Sequence, residues 1–271
     1  MVVDFHTHIF PDKIAKATID FLSRQANIPP YTDGTDEGLL LNMEKGGIDI
    51  AVSLPVLTKP SQFDSINNFA LKINAKYADK KRKIISFGGI HPLCEDIKGK
   101  MLFLKNAGLT GVKIHPDYQG EYIDHDGYKE ILKCAKELDM VVVTHAGVDY
   151  GFPNSLPKCP PTLAVKVIDE INHDKFVLAH YGANADYETV LNTLAGKNVF
   201  FDTSFTFNQI DKETFIKIME KHGADKILFA TDCPWQDIKD NLETFNSYGI
   251  NKESADKILY KNAMKLLGIG E

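Results

Sequence analysis

Short apolar runs alternate eight times with amphipathic helical patterns, and this alternation limits the possible folds more than any other feature. The runs occupy residues 2–6, 48–54, 84–89, 111–115, 141–145, 176–180, 199–202 and 227–232. Most are nearly continuous in apolar side chains, as expected of strands that are covered on both faces. Eight strand–helix units favour a parallel sheet closed into a (β/α)8 barrel, the TIM barrel of the α/β class. An open doubly wound sheet is the rival, but no G-x-G-x-x-G motif follows a strand.

The whole chain, residues 1–271, is expected to form a single domain. Its length lies within the range of one α/β barrel, and no low-complexity tract or charge block divides it. Two insertions interrupt the alternation: residues 9–47 follow the first strand, and residues 147–161 follow the fifth. In a barrel both would lie at the carboxyl ends of the strands, where active sites are built.

Composition excludes several classes of partner. The net charge is −6 and there is no basic run, which argues against nucleic-acid binding. No apolar stretch approaches the roughly 20 residues that span a bilayer, and the N-terminus shows no signal-peptide pattern. The four cysteines are widely spaced, as in reduced proteins. We therefore expect a cytoplasmic protein that acts on a small molecule, with neither a membrane nor a nucleic acid as partner.

Ionisable side chains collect at the carboxyl ends of the predicted strands. They are His6 and His8 (first strand), Lys113 and His115 (fourth), His145 (fifth), His180 (sixth) and Asp232 (eighth). Residues i and i+2 share one face of a strand, so both members of a pair can point into the barrel mouth. Imidazole and carboxylate are preferred ligands of zinc and similar ions. A single histidine at a strand end is more often a residue of the barrel rim than a metal ligand. So many ionisable side chains at strand ends together predict a catalytic metal site.

Other residues have structural interpretations. Asp4 is expected to be a structural partner deeper in the barrel, and His125, His173 and His222 are expected to be surface residues. Six aromatic residues that follow strand ends could line an apolar pocket, although simple loop packing explains each equally well. These residues are Phe10, Tyr150, Phe152, Tyr181, Phe205 and Trp235.

At these strand ends the sequence resembles the amidohydrolase superfamily. It is most similar to the amidohydrolase-related branch of aminocarboxymuconate-semialdehyde decarboxylase-like and resorcylate decarboxylase-like proteins. The matching segments are residues 3–8, 111–116, 143–147, 178–182, 229–235 and 262–263. Their order along nearly the whole chain is specific for the fold and the metal site, but not for the substrate.

The resemblance implies roles for individual residues. One divalent metal, expected to be zinc with manganese as the alternative, would be held by His6, His8, His145 and Asp232. His180 would act as a general acid or base, and Asp232 would also take a proton from the attacking water in a hydrolase. Some branches bridge two metals with a carboxylated lysine at the position of Lys113. The Lys-Ile-His-Pro context is closer to the mononuclear branch, so no second metal is expected.

The leading functional hypothesis is a metal-dependent hydrolase of a small amide, lactone or ester. The alternative is a metal-dependent, non-oxidative decarboxylase of an aromatic or unsaturated carboxylic acid, because the same ligands serve both reactions. A decarboxylase needs a cation for the substrate carboxylate, and Arg24 and Lys113 are the candidates. His115, which shares a strand face with Lys113, is a further candidate for substrate binding.

Other functional classes fit less well. A phosphoesterase or nuclease is disfavoured by the acidic balance and by having only two arginines, Arg24 and Arg82. A non-catalytic ligand-binding barrel is disfavoured by the complete set of metal ligands. The resemblance also implies a possible homodimer.

Overall fold

Short strands alternate with helices along the computed structural model, which describes residues 1–270. The strands are β1 (Val3–Thr7), β2 (Ile50–Ser53), β3 (Lys83–Ser86), β4 (Gly88–Gly89), β5 (Gly111–Ile114), β6 (Val141–Thr144), β7 (Phe176–Leu178), β8 (Phe200–Asp202) and β9 (Ile227–Leu228). The helices are α1 (Asp12–Ala26), α2 (Asp36–Gly46), α3 (Phe63–Tyr77), α4 (Ile97–Asn106), α5 (Pro116–Gln119), α6 (Asp126–Glu137), α7 (Pro161–Ile171), α8 (Tyr187–Thr189), α9 (Lys212–His222), α10 (Ile238–Ser247), α11 (Lys252–Asp256) and α12 (Asn262–Leu267). Both α8 and α11 continue into a short π-helical stretch.

The strands pair in parallel and in chain order, in one ladder from β1 to β3 and a second from β4 to β9. β3 and β4 are two parts of one barrel strand, interrupted at Phe87. At the other junction, the Phe5 N–H donates to the Phe229 carbonyl and the Asp232 N–H donates to the His6 carbonyl, both at 2.9 Å. These bonds connect the last strand to the first. The architecture is therefore a (β/α)8 barrel whose regular ladder is interrupted at two places.

The predicted strands are close to those observed. Each of the eight predicted runs overlaps an observed strand, and residues 84–89 overlap both β3 and β4. The run 227–232 is longer than β9, because Thr231 and Asp232 bond to residues of β1 rather than continuing the ladder with β8. The predicted TIM barrel is confirmed.

Side chains on the two faces of the strands belong to two different apolar clusters. Val141 and Val143 pack in a cluster made mainly of strand residues and α12, whereas Val142 packs in the larger cluster that includes the other helices. This alternation is typical of strands with both faces covered. The barrel thus buries strand residues of either parity, which explains the nearly continuous apolar runs.

A shift in the pairing of β1 with β2 positions the first histidines. The register changes between Asp4 and Thr7, and such irregularities commonly re-aim the side chains that follow. The Asp4 carboxylate accepts hydrogen bonds from the Thr231 N–H at 3.0 Å and the Thr231 hydroxyl at 2.6 Å. Asp4 therefore connects the two strands that meet at the barrel junction, in the structural role predicted for it.

The first insertion, residues 9–47, folds into α1 and α2. Thr35 caps α2, since its hydroxyl oxygen accepts a hydrogen bond from the Gly38 N–H at 2.9 Å. The second insertion, residues 147–161, is a loop that ends where α7 begins. Among residues 1–270, no helix combines the length and the apolar character needed to cross a membrane.

Candidate metal centre and active site

A cavity of about 760 Å³ opens at the carboxyl ends of the strands. The strand-end residues that line it are His6, His8, Lys113, His115, His145, His180 and Asp232. Both insertions contribute to its wall: Thr18 and Leu22 come from α1, and Val148 and Tyr150 come from the loop after β6. The wall is more apolar than polar. The predicted position of the insertions around the mouth is therefore correct.

Three ligand-type side chains converge at one point of this cavity. The His8 Nε2 lies 3.2 Å from the His6 Nε2 and 3.1 Å from the Asp232 Oδ1. The His6 Nε2 lies 3.5 Å from the same carboxylate oxygen. His6 is almost fully buried and the other two are mostly buried. Three ligand atoms this close, on side chains that are buried or mostly buried, can hold one divalent cation.

The outer hydrogen bonds orient these two imidazoles. The Nδ1 of His6 lies 2.9 Å from the Asp202 Oδ2, and the Nδ1 of His8 lies 2.9 Å from the Leu54 carbonyl oxygen. Since a carboxylate and a carbonyl only accept, each Nδ1 carries the hydrogen and each Nε2 keeps its lone pair toward the centre. The residues present therefore fit a divalent metal ion.

The two carboxylates near this centre are held ionised. Burial opposes ionisation of Asp202, but neighbouring His6 and His180 outweigh it and hold its pKa below the usual range. Burial also opposes ionisation of Asp232, but the neighbouring imidazoles of His8, His6 and His180 outweigh it and lower its pKa. Asp202 can therefore anchor His6, and Asp232 can act as an anionic ligand or as a proton acceptor.

Lys113 lies within the same centre. Its Nζ is 3.1 Å from the His6 Nε2, and its side chain is almost completely buried. Burial lowers the pKa of Lys113 to about 8. Lys113 is the only lysine or arginine among the described residues that line the cavity, so the single cationic side chain of the wall lies at the centre itself.

His180 connects the centre to a second histidine group. Its Nδ1 lies 3.0 Å from the Ser204 carbonyl oxygen, and its Nε2 lies 2.9 Å from the His145 Nδ1. Burial lowers the pKa of His180, which favours the neutral imidazole. A neutral His180 whose Nδ1 hydrogen bonds to Ser204 keeps a lone pair on Nε2, so it can accept a proton.

His145 belongs to a second group of ionisable side chains. Its ring stacks on that of His115, with centroids 4.3 Å apart, and the His115 Nε2 lies 3.4 Å from the Asp149 Oδ2. Ligand atoms of His115, His145 and Asp149 all lie within 4.8 Å of one another. The His145 Nε2 has no hydrogen-bond partner, and the nearest carboxylate oxygen, on Asp117, is 4.0 Å away. The role of His145 as a ligand with His6, His8 and Asp232 stays a prediction.

The structure places Arg24 outside the cavity, which corrects its predicted contact with substrate. Arg24 lies exposed in the last turn of α1. The neighbouring Gln25, with Leu22 and Thr18, forms the cavity face of the helix. Phe21, Leu22, Gln25 and Ala26 of this helix line the cavity, whereas the Arg24 side chain is exposed and does not.

The aromatic residues divide into two sets. Phe10, Tyr150, Phe205 and Trp235 line the cavity. The other two pack elsewhere: Tyr181 stacks on Phe215 with ring centroids 4.5 Å apart, and Phe152 packs on Tyr118 at 4.8 Å.

The expectation that His173 and His222 are surface residues is wrong. Both are buried. The His173 Nε2 lies 2.9 Å from the Met140 carbonyl oxygen, and the His222 ring stacks on Phe201 with centroids 3.8 Å apart. Both residues lie next to helix ends, where exposed residues are common. Their neutral rings nevertheless pack in the interior.

Sequence reasoning missed three residues of the site. Asp202 ends the seventh predicted run, so the strand-end criterion used for the histidines could have found it. Ser204 follows it by two residues. Asp149 lies in the second insertion, and nothing in the local sequence pairs it with His115.

Backbone conformation also marks the site. His180, Phe205 and Asp232 have left-handed φ angles of 58°, 52° and 70°, which residues with a Cβ rarely adopt. All three line the cavity. Such conformations cluster at functional sites, where the surrounding structure enforces them.

Comparisons with known proteins agree with this architecture. The sequence model described as amidohydrolase matches residues 3–269. No curated protein sequence matches the chain significantly.

Three solved structures show the similarity of fold. An uncharacterised TIM-barrel protein from Bordetella bronchiseptica has a TM-score of 0.76 at 17% identity, with 98% of each chain covered. A probable 2-pyrone-4,6-dicarboxylic acid hydrolase from Acinetobacter baumannii has a TM-score of 0.70 at 18% identity, with 99% of each chain covered. A dihydroxybenzoic acid decarboxylase from Polaromonas sp. JS666, solved with manganese and 2-nitroresorcinol, has a TM-score of 0.73 at 16% identity. That match covers 98% of this chain and 96% of the other.

Proposed function

The chain belongs to the amidohydrolase family, and we propose that this metal-dependent enzyme hydrolyses a small, mainly apolar amide, lactone or ester. The observation that carries the proposal is the distribution of charge in the cavity. Lys113 is the only cationic lysine or arginine side chain of the described wall, and its Nζ lies beside His6 at the centre. No other such cation is available to hold a substrate carboxylate along the apolar wall, so a neutral acyl compound fits best.

The residues of the centre fit one divalent metal. We propose His6, His8, His145 and Asp232 as its ligands and zinc as the ion, since imidazole and carboxylate ligands suit zinc. Manganese is the alternative, because a decarboxylase of similar fold was solved with manganese. When bound, such an ion supplies a Lewis acid that polarises a carbonyl and lowers the pKa of water.

The protein's own residues would move the protons. The Asp232 carboxylate, whose Oδ1 lies 3.1 Å from the His8 Nε2, would take the proton of the attacking water. His180, neutral and oriented by the Ser204 carbonyl, would hold or return a proton through Nε2. The apolar wall would exclude bulk water from the acyl group and orient it toward the centre.

A decarboxylase is the second candidate, and the position of Lys113 favours it. A substrate carboxylate placed at the centre would meet the buried ammonium of Lys113 directly. The reaction would break the bond that joins the aromatic or unsaturated carbon of the substrate to its carboxyl carbon. Carbon dioxide would leave, and the aromatic or unsaturated carbon would take a proton in its place. His180 is the candidate proton donor after it has been protonated.

Product analysis separates the two candidates. Metal-loaded protein is incubated with neutral aryl esters, lactones and amides, and separately with aryl carboxylic acids, while hydrolysis products and carbon dioxide are measured. We expect hydrolysis that Asp232→Asn abolishes and that Asp174→Asn, an exposed aspartate, leaves intact. Carbon dioxide release without hydrolysis, lost in Lys113→Met, would instead support the decarboxylase. A homodimer and a cytoplasmic location remain predictions from the sequence.

A further inference from the structure

The active-site cavity differs in chemistry from one side to the other. The ionisable side chains of the centre stand at strand ends, whereas α1, α3 and the segment between β2 and α3 contribute mainly apolar lining residues. Because β1 and β2 are neighbouring strands, the helices that follow them lie on the same side of the mouth. The apolar residues of this side are called the tail site here: Ile14, Phe21, Leu22, Val56, Ile66 and Phe69.

The tail site begins directly beside the metal centre. The His8 Nδ1 lies 2.9 Å from the Leu54 carbonyl oxygen, and the Leu54 N–H donates to the Thr7 carbonyl at 2.9 Å. Leu54 lines the cavity and precedes Val56 of the tail site by two residues. A substrate whose reacting group lies at the centre can therefore extend its remaining part into the tail site within one cavity.

The α1 side of the tail site has little cover from the protein. Ile14 is 50% exposed and Phe21 is 57% exposed, although both line the cavity. Leu22 follows Ile14 by two helical turns, so the three side chains share one face of α1. The buried residues of this helix are only Ala15 and Ile19. Exposed apolar surface along a groove that leads to an active site is typical of a binding surface for an apolar ligand group.

The α3 side of the tail site is supported by the protein core. Ile66 and Phe69 pack against the larger apolar cluster on one side and line the cavity on the other. The polar side chain of Gln62 is engaged within the fold, since its Oε1 accepts hydrogen bonds from the N–H groups of Thr58 and Lys59 at 2.8 and 3.1 Å.

No charged residue is among the described lining residues that α1, α3 and the segment between β2 and α3 contribute. A charged group in the tail site would lose water without gaining an ionic partner, which is costly. The tail site therefore favours an uncharged, apolar part of a substrate.

We propose that the tail site binds an unbranched alkyl chain of the substrate, so that the enzyme acts on acyl compounds of medium chain length. This inference rests on the proposed hydrolysis of a neutral acyl compound. A cavity of about 760 Å³ is in the range that buries drug-sized molecules, and an acetyl group alone would leave most of it unfilled. Because the site opens to solvent at Ile14 and Phe21, a chain can lengthen outward and keep contact with both helices.

A series of esters tests the proposal on the full-length, metal-loaded protein. The substrates are 4-nitrophenyl acetate, butyrate, hexanoate and octanoate, each below the concentration at which it aggregates. We expect kcat/KM to rise about threefold for each methylene added up to hexanoate, because each one leaves water for an apolar wall. The rise should come mainly from a lower KM, since the chain binds equally in the ground state and the transition state.

A matched pair of variants tests the assignment to α1. Phe21→Gln removes an exposed ring from the tail site and should lower the rise in kcat/KM to about twofold or less for each methylene. Phe103→Gln removes a ring that is similarly exposed, at 53%, but that is not among the described lining residues of the cavity. It should retain the rise of the unmodified protein. Since both rings are exposed, neither variant is expected to disturb folding.

Binding of methyl ketones separates the tail site from the reaction. The ketones 2-butanone, 2-hexanone and 2-octanone carry a neutral carbonyl but cannot be hydrolysed, and saturation-transfer NMR measures their affinities. We expect the affinity to rise with chain length and the rise to shrink in Phe21→Gln but not in Phe103→Gln. If this holds while no ester is hydrolysed, the proposed hydrolase is wrong and the tail site is supported.

Two results would overturn the tail site. One is hydrolysis with the same kcat/KM for acetate and hexanoate, which would leave the hydrolase standing without a chain-binding site. The other is a change in the oligomeric state of Phe21→Gln, measured by light scattering, with an unaltered dependence on chain length. That result would assign the exposed face of α1 to a second copy of the chain.

Discussion

The two histidine groups at the barrel mouth differ in how their rings are held. In the group of His6, His8 and Asp232, each imidazole Nδ1 lies 2.9 Å from a protein acceptor. In the group of His115, His145 and Asp149, the His145 Nε2 has no partner, and Asp149 comes from a loop rather than from a strand end. Outer hydrogen bonds orient metal ligands: the rings of the first group are held by a carboxylate and a backbone carbonyl, whereas His145 is held by another imidazole, His180.

The largest effect is expected when one histidine of each group is replaced by alanine and the metal content and kcat/KM of the two variants are compared. We expect His8→Ala to lose the metal and to lower kcat/KM by at least about 10³-fold, because the metal supplies several kcal/mol of transition-state stabilisation. The matched variant, His115→Ala, should keep the metal. Elemental mass spectrometry after dialysis and steady-state kinetics measure both. Equal loss of metal from the two variants would break the distinction between the groups.

A buried histidine remote from the site extends the comparison to stability. His222 also has an unpartnered Nε2, and its Nδ1 accepts a hydrogen bond from the Gly196 N–H at 3.1 Å. Burial, with a smaller contribution from Lys226, lowers the pKa of His222 to about 4. The folded chain therefore binds fewer protons at this residue than the unfolded chain does between pH 4 and pH 6.5.

The stabilisation from this neutral ring is complete above pH 6.5 and declines as the pH falls through that window. We expect His222 to account for a loss of about 3 kcal/mol in the free energy of unfolding by pH 4, with no further loss below. Urea unfolding of His222→Gln between pH 4 and 7 should show a correspondingly smaller pH slope. His125→Gln, at a partly exposed position, is the control, and a slope unchanged by His222→Gln would refute the assignment.

The smallest effect concerns the anchor of His6. Asp202→Asn keeps the shape of the side chain but removes the charge 2.9 Å from the His6 Nδ1. We expect metal affinity to fall about 10–100-fold, as for other outer hydrogen bonds to ligands. Asp117→Asn, near the unpartnered His145, should leave metal affinity within about twofold of the original, because Asp117 anchors no ring. Competition with a chelator measures both, and a larger loss in Asp117→Asn would show that Asp117 does orient a metal ligand.

The strands and the convergence of His6, His8 and Asp232 could be predicted from the sequence, because strand ends are a local property. His6, His8 and Asp232 were placed together by the rule that strands of one barrel end at one rim, and their observed distances agree. The rule could not show which way a ring turns. The sequence therefore predicts His145 at the rim but cannot predict that its Nδ1 bonds to His180.

The errors have the same origin. Arg24 lies on α1 between residues that line the cavity, but its own side chain is exposed and is not part of the wall. His173 and His222 lie close to the ends of helices, and their burial depends on neighbours such as Phe201 that are distant in the chain. The local sequence pattern does not predict which residues at a helix end will be buried by segments that are distant in the chain.

The sequence by itself determined the barrel, its two insertions and the chemical types at the mouth, because periodicity and strand ends are set by neighbouring residues. The tertiary structure decided the orientation of each imidazole and the position of Lys113 beside His6. The physical reason is that these features depend on hydrogen bonds and packing between segments far apart in the chain. Asp202 and His6, for example, are 196 residues apart, yet their bond at 2.9 Å orients the centre.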